Sequence, residues 1–251
     1  RSFVESHKEL GFPTLSKVAE LANAERDNTA AFYTGQNICF EMVRTLPVFL
    51  PGDSIRILEP SVGVGNFLPS LFKYYQNVKH VELDVVDINP DSIATLQELL
   101  TIIDIPANFT VNFICDDFLL HDFDLNRYDI VIGNPPYMQL PANEVLRSYR
   151  FRAANQMTNN IFAFFIEKAL ELAKCCSLVV PKSLINTPEF SETRSILNRF
   201  HLSNIIDFGE KGFKGVKIET ICFILDTQKK PHNTFVESYI TDGVRCHQQA
   251  Y

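Results

Sequence analysis

The chain has 251 residues, with 23 Lys and Arg against 30 Asp and Glu, and a formal net charge of −7. This length accommodates one large domain or two small ones, and a hydrophobic fraction of 46% excludes wholesale disorder. No run approaches the roughly 20 apolar residues of a membrane span, so we expect a soluble protein without membrane contacts. An acidic chain is a poor partner for nucleic acid on Coulombic grounds, and any DNA-binding hypothesis has to answer that objection.

The six cysteines include no C-x-x-C pair, and no histidine lies at a spacing suited to zinc. Most of them lie in apolar runs, where a thiol behaves as a small hydrophobe. We therefore expect reduced core cysteines in a cytoplasmic protein and no metal site. Because the chain begins at Arg1 rather than Met and has no signal peptide, we expect a fragment of a longer protein.

Short apolar, β-branched runs alternate with helical periodicity from residue 55 onward, which indicates an α/β fold. Two helices precede this region, one near Leu15–Ala24 and one after Phe32-Tyr33-Thr34-Gly35. The predicted strands are Ile55–Leu58, Leu83–Asp87, Phe109–Cys115, Tyr128–Ile132, Ser177–Pro181, Asn204–Phe208 and Thr220–Leu225. The predicted helices among them are Asn66–Tyr75, Asp91–Ile103, Asn160–Lys174 and Ser191–Phe200. We expect a mostly parallel sheet with helices on both faces and an antiparallel pair of strands at its end.

In such sheets, ligands bind beyond the carboxyl ends of the strands, at the point where the strand order reverses. Four predicted strands end in polar, acidic or glycine-rich sequence: Glu59–Gly65, Asp87–Pro90, Asp116–Phe118 and Gly133–Tyr137. Their convergence predicts a ligand site more strongly than any single motif does.

The first of these loops contains Gly63 and Gly65, which permit a tight turn and a close approach of the backbone to a ligand. Leu68 occupies the position of the third glycine of the dinucleotide fingerprint, and Glu59 would repel a pyrophosphate. The loop therefore disfavours a dinucleotide and favours a positively charged nucleoside such as S-adenosylmethionine.

Two acidic loops fit the same nucleoside. Asp87 is placed to accept hydrogen bonds from both ribose hydroxyls. Asp117 is suited to accept one from an adenine amine, with Phe118 against the face of the ring. Each acid is also open to a second interpretation, as a helix N-cap or an ordinary loop residue.

Asn134-Pro135-Pro136-Tyr137 is the sharpest motif in the chain. Its two successive prolines hold the backbone in an extended, rigid loop. An ordinary strand-terminating turn is the alternative, because Asn-Pro marks turns. That alternative does not explain an aromatic residue held directly after a rigid polar corner.

Residues 57–68, followed by Asn134–Tyr137, resemble the adenine-N6 DNA methyltransferases of bacterial restriction-modification systems, in the group with a C-terminal target-recognition domain. Residues 32–35 resemble the N-terminal cofactor motif of that group, although Gly35 replaces its usual Pro. Also similar are 160–169, the helix after the catalytic loop, and 179–184, the fifth strand and its continuation. Residues 209–213 with 219–220 resemble the segment whose aromatic residue holds the target base. The resemblance runs from about residue 30 to 228.

The resemblance implies a Rossmann-like class I S-adenosylmethionine-dependent methyltransferase fold, with a seven-stranded, mostly parallel sheet and an antiparallel last strand. Residues 1–35 would form an N-terminal helical segment with a cofactor motif, and 36–228 the catalytic domain. Residues 229–251 would begin the link to a recognition domain absent from the chain. The positively charged surface that binds DNA would belong to that domain, so the acidic character of this chain would not conflict with DNA binding by the whole protein. Only Cys175-Cys176 separates the predicted helix from the next strand, where the family has a longer glycine-containing turn.

The resemblance also implies a reaction, which is methyl transfer from S-adenosylmethionine to the N6 amine of a flipped-out adenine in a specific DNA sequence, in the bacterial cytoplasm. The catalytic residues would be Asn134, Pro135, Pro136 and Tyr137, and the target base would lie between Tyr137 and Phe213. The cofactor would contact Thr34, Glu59, Pro60, Gly63, Gly65, Asp87, Ile88, Asp117, Phe118, Asn134 and Phe165. Double-stranded DNA would be the partner, together with a restriction endonuclease subunit or a fused nuclease.

Other classes of methyltransferase were weighed against this one. Cytosine-C5 methylation uses a Pro-Cys nucleophile, and none of the 13 prolines precedes a cysteine. A glutamine-N5 protein methyltransferase or an RNA amine methyltransferase remains open, because each presents the same two N–H groups to an Asn-Pro-Pro-Tyr loop; residues 32–35 and 209–213 favour DNA. An inactive methyltransferase-like specificity subunit is the non-enzymatic alternative, but it would not need Glu59, Asp87 and Asp117.

Overall fold

The computed structural model describes residues 2–22, 34–210, 218–241 and 244–250, with 239–241 and 244–250 described by their backbone alone. Its strands are β1 Ser54–Glu59, β2 His80–Asp87, β3 Phe109–Cys115, β4 Tyr128–Gly133, β5 Ala173–Pro181, β6 His201–Gly209, β7 Thr220–Asp226, β8 Thr234–Thr241 and β9 Val244–Ala250. The described helices are α1 Ser2–Ser6, α2 Gly11–Leu21, α3 Gln36–Val43, α4 Leu68–Tyr75, α5 Pro90–Leu100, α6 Glu144–Arg152, α7 Ile161–Leu172, α8 Ser183–Asn186 and α9 Ser191–Leu197.

All of these strands belong to one sheet, in the order β3-β2-β1-β4-β5-β7-β6-β8-β9. The first five strands of that order are parallel, and β7 lies antiparallel between β5 and β6. The predicted mostly parallel sheet, with an antiparallel strand near its end, is therefore confirmed. The strand order reverses between β1 and β4, which places the expected ligand edge at the carboxyl ends of these two strands.

The prediction of seven strands is wrong, because β8 and β9 extend the sheet beyond β6. β8 pairs in parallel with β6, with Asn204 beside Phe235 and Asp207 beside Ser238, and β9 pairs antiparallel with β8. Residues 234–250 mix polar and apolar side chains, so they lack the continuous apolar run that marks a buried strand. Backbone hydrogen bonds hold β8 and β9 in the sheet, and a part-buried ion pair between Glu237 and Arg44 ties β8 to the end of α3.

The junction of α7 and β5 also differs from its prediction. The helix was expected to continue to Lys174, but it ends at Leu172, and Ala173 already has extended dihedral angles. Ala173 pairs with Tyr128 in the sheet, so strand pairing ends the helix. The short link is thus a direct passage from helix to strand.

Helices cover both faces of the sheet, as predicted. α3, α4 and α5 pack on one face against side chains such as Ile57 and Leu83. α6, α7, α8 and α9 pack on the other against Leu58 and Val131. Neighbouring residues of β1 point to opposite faces because side chains alternate along a strand. None of the helices within the described residues is long and apolar enough to cross a membrane.

The loop between β1 and α4 carries two glycines with different roles. Gly63 has a φ of 52°, and a Cβ there would meet no heavy atom within 4 Å. Gly65 has a φ of 77°, and a Cβ there would lie 2.4 Å from Cδ1 of Leu96 in α5, a fully buried side chain. The positive φ favours glycine at both positions. Only at Gly65 would a side chain also collide with α5, because the loop packs closely on that helix.

We expect Gly65→Ala to lower the free energy of unfolding by about 2–4 kcal/mol, from backbone strain and overpacking together. Gly63→Ala, with backbone strain alone, should cost about 1 kcal/mol. Urea unfolding of the two variants beside the unaltered chain measures the difference. Equal losses of stability would show that Leu96 yields without cost and that packing against α5 is not the constraint.

Candidate active site

A cavity of about 700 Å³ opens at the carboxyl ends of β1, β2 and β4. Most of the predicted site residues line it: Thr34, Glu59, Pro60, Gly63, Asp87, Ile88, Asp117, Phe118, Asn134, Pro136 and Phe165. Gly65, Pro135 and Tyr137 do not line it, and Phe213 lies outside the described residues. The fold therefore brings three predicted cofactor loops and the Asn-Pro-Pro-Tyr loop to one cavity.

Glu59, the last residue of β1, has its side chain buried in the wall of this cavity, with 2% of its surface exposed. Its Oε2 atom has no hydrogen-bond partner within the described part of the chain. Burial raises the pKa of this carboxyl group well above its ordinary value, and the nearby charge of Asp87 raises it further. A buried carboxylate without compensation is costly, so this wall of the cavity is suited to a cationic or hydrogen-bond-donating ligand.

Asp87 holds the glycine loop against the end of β2. One of its carboxylate oxygens accepts a hydrogen bond from Gly63 N at 2.9 Å, and the other accepts one from Asn89 N, also at 2.9 Å. Burial raises the pKa of Asp87, although these two hydrogen bonds act in the opposite direction. Asp87 thus has the structural role in the loop that was its second interpretation, and it also lines the cavity.

Asp117 connects the third loop to α6, a helix absent from the sequence prediction. Its Oδ1 atom accepts a hydrogen bond from Leu119 N at 2.9 Å, and its Oδ2 atom accepts one from the Tyr149 hydroxyl at 2.7 Å. Burial and this hydrogen bond raise the pKa of Tyr149. The ring centroids of Phe118 and Phe165 lie 4.8 Å apart, and both rings line the cavity. Tyr149 of α6 lines it as well, so α6 forms part of the wall beside these two rings.

The Asn-Pro-Pro-Tyr loop docks directly on the glycine loop. The side-chain amide of Asn134 donates to the Thr34 hydroxyl at 3.1 Å, and its main-chain carbonyl accepts from the Ser61 hydroxyl at 2.9 Å. A Cβ at Gly133 would lie 3.1 Å from Cδ of Pro60, so a side chain there would press the two loops apart. Asn134 is therefore held in the wall of the cavity by contacts from two other segments.

Tyr137 lies on the far side of the same loop. Its hydroxyl donates to the main-chain carbonyl of Val179 at 2.8 Å, and its ring contacts Phe162 edge-on, with centroids 6.1 Å apart. Burial raises the pKa of this hydroxyl well above its ordinary range. The aromatic ring is thereby held beside the loop and outside the cavity that Asn134 lines.

The N-terminal helices supply a wall of the cavity that sequence reasoning missed. Phe3 and Val4 of α1, with Val18 and Ala19 of α2, line it opposite the strand ends. These helices pack on Val64 and Leu99. The apolar spacing within α2 indicates a buried face, but it carries no information about which surface that face covers.

The sheet order and a cavity at its switch point define the fold of class I S-adenosylmethionine-dependent methyltransferases. Residues 70–213, more than half of the chain and including the Asn-Pro-Pro-Tyr loop, match the Eco57I restriction-modification methylase family. The chain belongs to this family of restriction-modification methyltransferases.

The relatives agree with this assignment. Type II methyltransferase M.CvrRI of Paramecium bursaria Chlorella virus XZ-6E is 23% identical over 220 residues, which are 87% of this chain and 53% of that protein. A Vibrio vulnificus YJ016 protein assigned as the modification subunit of a type I restriction enzyme shares the fold with a TM-score of 0.69 and 16% identity, over 92% of this chain and 52% of that one. A Listeria monocytogenes protein assigned as a class I methyltransferase has a TM-score of 0.66 and 18% identity, over 94% of this chain and 74% of that one. The chain thus spans about half the length of the curated relative M.CvrRI.

Glu59→Gln should stabilise the ligand-free protein at neutral pH. The folded pKa of Glu59 lies above the unfolded value of about 4.3, so between the two pKa values the folded state binds more protons than the unfolded state. The stabilisation that comes from protonated Glu59 is therefore fully present below the unfolded pKa, and it is lost as the pH rises through the folded pKa. The neutral amide removes that loss, so the melting temperature of Glu59→Gln should exceed that of the unaltered protein at pH 7 and approach it at pH 4.5.

The same variant is expected to bind S-adenosylmethionine more weakly, since it lacks the carboxylate that suits this wall of the cavity to a cationic ligand. Glu167→Gln is the matched control, because burial also raises the pKa of Glu167, but its oxygens accept from the main-chain N–H groups of Ala154 and Asn155. That control should lose stability and keep cofactor affinity. A lower melting temperature for Glu59→Gln at pH 7 would contradict the assignment of an uncompensated buried charge.

Proposed function

We propose that this chain transfers a methyl group from S-adenosylmethionine to the exocyclic N6 amine of an adenine that has been flipped out of DNA. One observation carries the proposal, namely that Asn134 of the Asn-Pro-Pro-Tyr loop lines the same cavity as Glu59, Asp87 and Asp117. In this proposal, the methyl-donor site and the acceptor for the amine protons would be adjacent. The family assignment supports the coarser statement, a restriction-modification methyltransferase.

The cavity residues fit the cofactor. The unsatisfied Oε2 atom of buried Glu59 suits a donor or cationic group, and the rings of Phe118 and Phe165 suit a flat heterocycle. Glu59, Asp87, Ile88, Asp117, Phe118 and Phe165 would hold the cofactor, together with the main chain near Pro60 and Gly63. When bound, the cofactor supplies a methyl group on a positively charged sulfur.

The acceptors on the loop address the weak nucleophilicity of the adenine amine, whose lone pair is delocalised into the ring. The Asn134 side-chain oxygen and the Pro135 main-chain carbonyl would each accept one N–H, which makes the nitrogen more tetrahedral and aims its lone pair. Pro135 and Pro136 stiffen the backbone that carries both acceptors, so little ordering remains for the transition state. The amine proton becomes acidic as methylation proceeds, so no general base of unusual pKa is needed.

The target base would stack on Tyr137, whose ring is held by the Val179 carbonyl, with Phe213 on the other face. Phe213 lies outside the described residues, so this pairing rests on the motif alone. We propose that double-stranded DNA is gripped chiefly by a recognition domain outside residues 1–251, since the chain itself carries a net charge of −7. A restriction endonuclease subunit or fused nuclease would complete the system, in the cytoplasm.

Methylation of DNA by the full-length protein tests the proposal. Unmethylated plasmid DNA incubated with protein and S-adenosylmethionine, then digested to nucleosides for mass spectrometry, should yield N6-methyladenine. Methylated glutamine in a peptide substrate, or methylated RNA with unmodified DNA, would replace this function with one of the two open alternatives.

Asn134→Ala should lower kcat about 100-fold or more and leave cofactor affinity nearly unchanged, because the residue acts on the amine mainly in the transition state. Single-turnover methylation rates and calorimetric binding of S-adenosylhomocysteine separate the two quantities. Asn108→Ala is a control, since Asn108 donates to the carbonyls of Tyr75 and Val78 far from the cavity and should affect stability alone. Activity of Asn134→Ala within a few-fold of the unaltered protein would remove Asn134 from this role.

Phe213→Ala should lose about 1–3 kcal/mol of base stacking, while its melting temperature stays close to that of the unaltered protein. Lys211, Lys214 and Lys217 flank this residue in the sequence, which suits a nearby phosphate. DNA with 2-aminopurine at the target position reports stacking, because its fluorescence rises on flipping and a stacked ring quenches part of that rise. Phe213→Trp should retain much of the activity. A melting temperature several degrees lower, with unchanged DNA affinity, would identify Phe213 as a core residue instead.

A further inference from the structure

We infer that Thr34 is a positioning residue, which orients the side-chain amide of Asn134 so that its oxygen faces the amine of the target base. This inference rests on the proposed function. The resemblance assigned Thr34 to cofactor binding, whereas in the structure its hydroxyl is engaged by the catalytic loop, at 3.1 Å from Nδ2 of Asn134.

An asparagine amide has two orientations of nearly equal shape that exchange its oxygen and its NH₂ group. Only one of them presents an acceptor to an amine that must give up two N–H hydrogen bonds. In the other, the NH₂ group of Asn134 would face the amine, so two donors would oppose each other. In the structure the Thr34 hydroxyl oxygen accepts from Nδ2 of Asn134, and this bond directs the amide oxygen away from Thr34.

Thr34 is itself well fixed. Only 4% of its surface is exposed, and it directly precedes Gly35, whose carbonyl accepts the first N–H bonds of α3 from Ile38 and Cys39. The position of its hydroxyl is therefore set by the start of a helix in the core of the domain. Ser61 holds the other end of the same residue, since its hydroxyl donates to the Asn134 carbonyl at 2.9 Å. Both ends of Asn134 are thus held by hydroxyl groups from segments outside its own loop.

Thr34→Val keeps the shape of the side chain and removes the hydroxyl, so Asn134 loses the hydrogen bond that Thr34 accepts from its amide. We expect the single-turnover methylation rate to fall about 10- to 100-fold, with the Kd for S-adenosylhomocysteine unchanged within a factor of about two. Thr34→Ser retains the hydroxyl and should restore most of the rate. A weakened Kd with an unchanged rate would overturn the inference and return Thr34 to the cofactor site.

The Asn134→Asp background tests the orientation of the side chain itself. A carboxylate has two equivalent oxygens, so turning it over changes nothing, whereas turning over an amide exchanges its oxygen with its NH₂ group. In that background, Thr34→Val should change the rate by no more than a few-fold. An equal fractional loss in the Asn134 and Asn134→Asp backgrounds would identify Thr34 as a structural residue and overturn the inference. If Asn134→Asp lacks measurable activity, two other results test the inference. Thr34→Val should lower the methylation rate without changing the Kd for S-adenosylhomocysteine, and Thr34→Ser should restore most of the rate.

Thr193→Val is the matched control for the loss of a buried hydroxyl. Thr193 is fully buried and accepts a hydrogen bond from Nδ2 of Asn155 at 2.6 Å, away from the cavity. It should lose stability comparable to that of Thr34→Val and keep its methylation rate per folded molecule. If the unaltered full-length protein methylates no adenine, the proposed function fails and the inference fails with it. If that protein is active and Thr34→Val matches it in rate, the inference alone fails.

Discussion

β1 and β4 run parallel as neighbours, with Ile57 beside Ile130 and Leu58 beside Val131. This register ends the two strands at the same level, so the loops that follow them meet. Pro60 approaches Gly133 closely, and the Ser61 hydroxyl reaches the carbonyl of Asn134. The proposed chemistry depends on this meeting, since it places Asn134 in the wall of a cavity lined by carboxylates. A shift of one residue would turn each side chain of β1 to the opposite face of the sheet and separate the loops.

The carboxylates in that wall are costly for the ligand-free fold. Glu59 is buried and Asp87 is half-buried, and burial raises the pKa of each. Asp87 is partly compensated by two main-chain N–H groups, whereas one oxygen of Glu59 has no partner within the described residues. Functional sites often retain such unfavourable groups because a ligand offsets the cost on binding. The sheet around them, with an apolar core on both faces, supplies the stability that tolerates this cost.

Segments distant in sequence complete the site from outside the sheet. α1 and α2 cover it from the side of α5, and α6 closes the other end through the hydrogen bond from Tyr149 to Asp117. Thr34, at the start of α3, contacts Asn134 across 100 positions of sequence. The cavity is therefore an assembly of contacts between elements, in which the strand ends supply Glu59, Asp87 and Asp117 while helices contribute Glu20 and Asp91. Substitutions at the apolar residues Val18 and Ala19 of α2 are expected to act on ligand affinity through the shape of the cavity rather than through charge.

Much of this architecture was accessible from local sequence. The strands from Ile55 to Leu225 and four of the helices between them are predictable because apolar periodicity reports which side chains are buried. The four loops that line the cavity are predictable because glycine, proline and acidic residues directly after strands reflect local backbone and charge requirements.

The elements that escaped prediction are those with weak local signals. α6 buries only Leu146 and Tyr149 among its described residues, and β8 and β9 are held by backbone pairing at the edge of the sheet. The bonds from Asn134 to Thr34 and from Tyr149 to Asp117 leave no trace in either local sequence, because each joins side chains that come together only after folding. The sequence by itself determined the class of fold and the chemical groups at the strand ends. The tertiary structure decided which distant side chains orient those groups, since strand register and helix packing set distances that no spacing along the chain encodes.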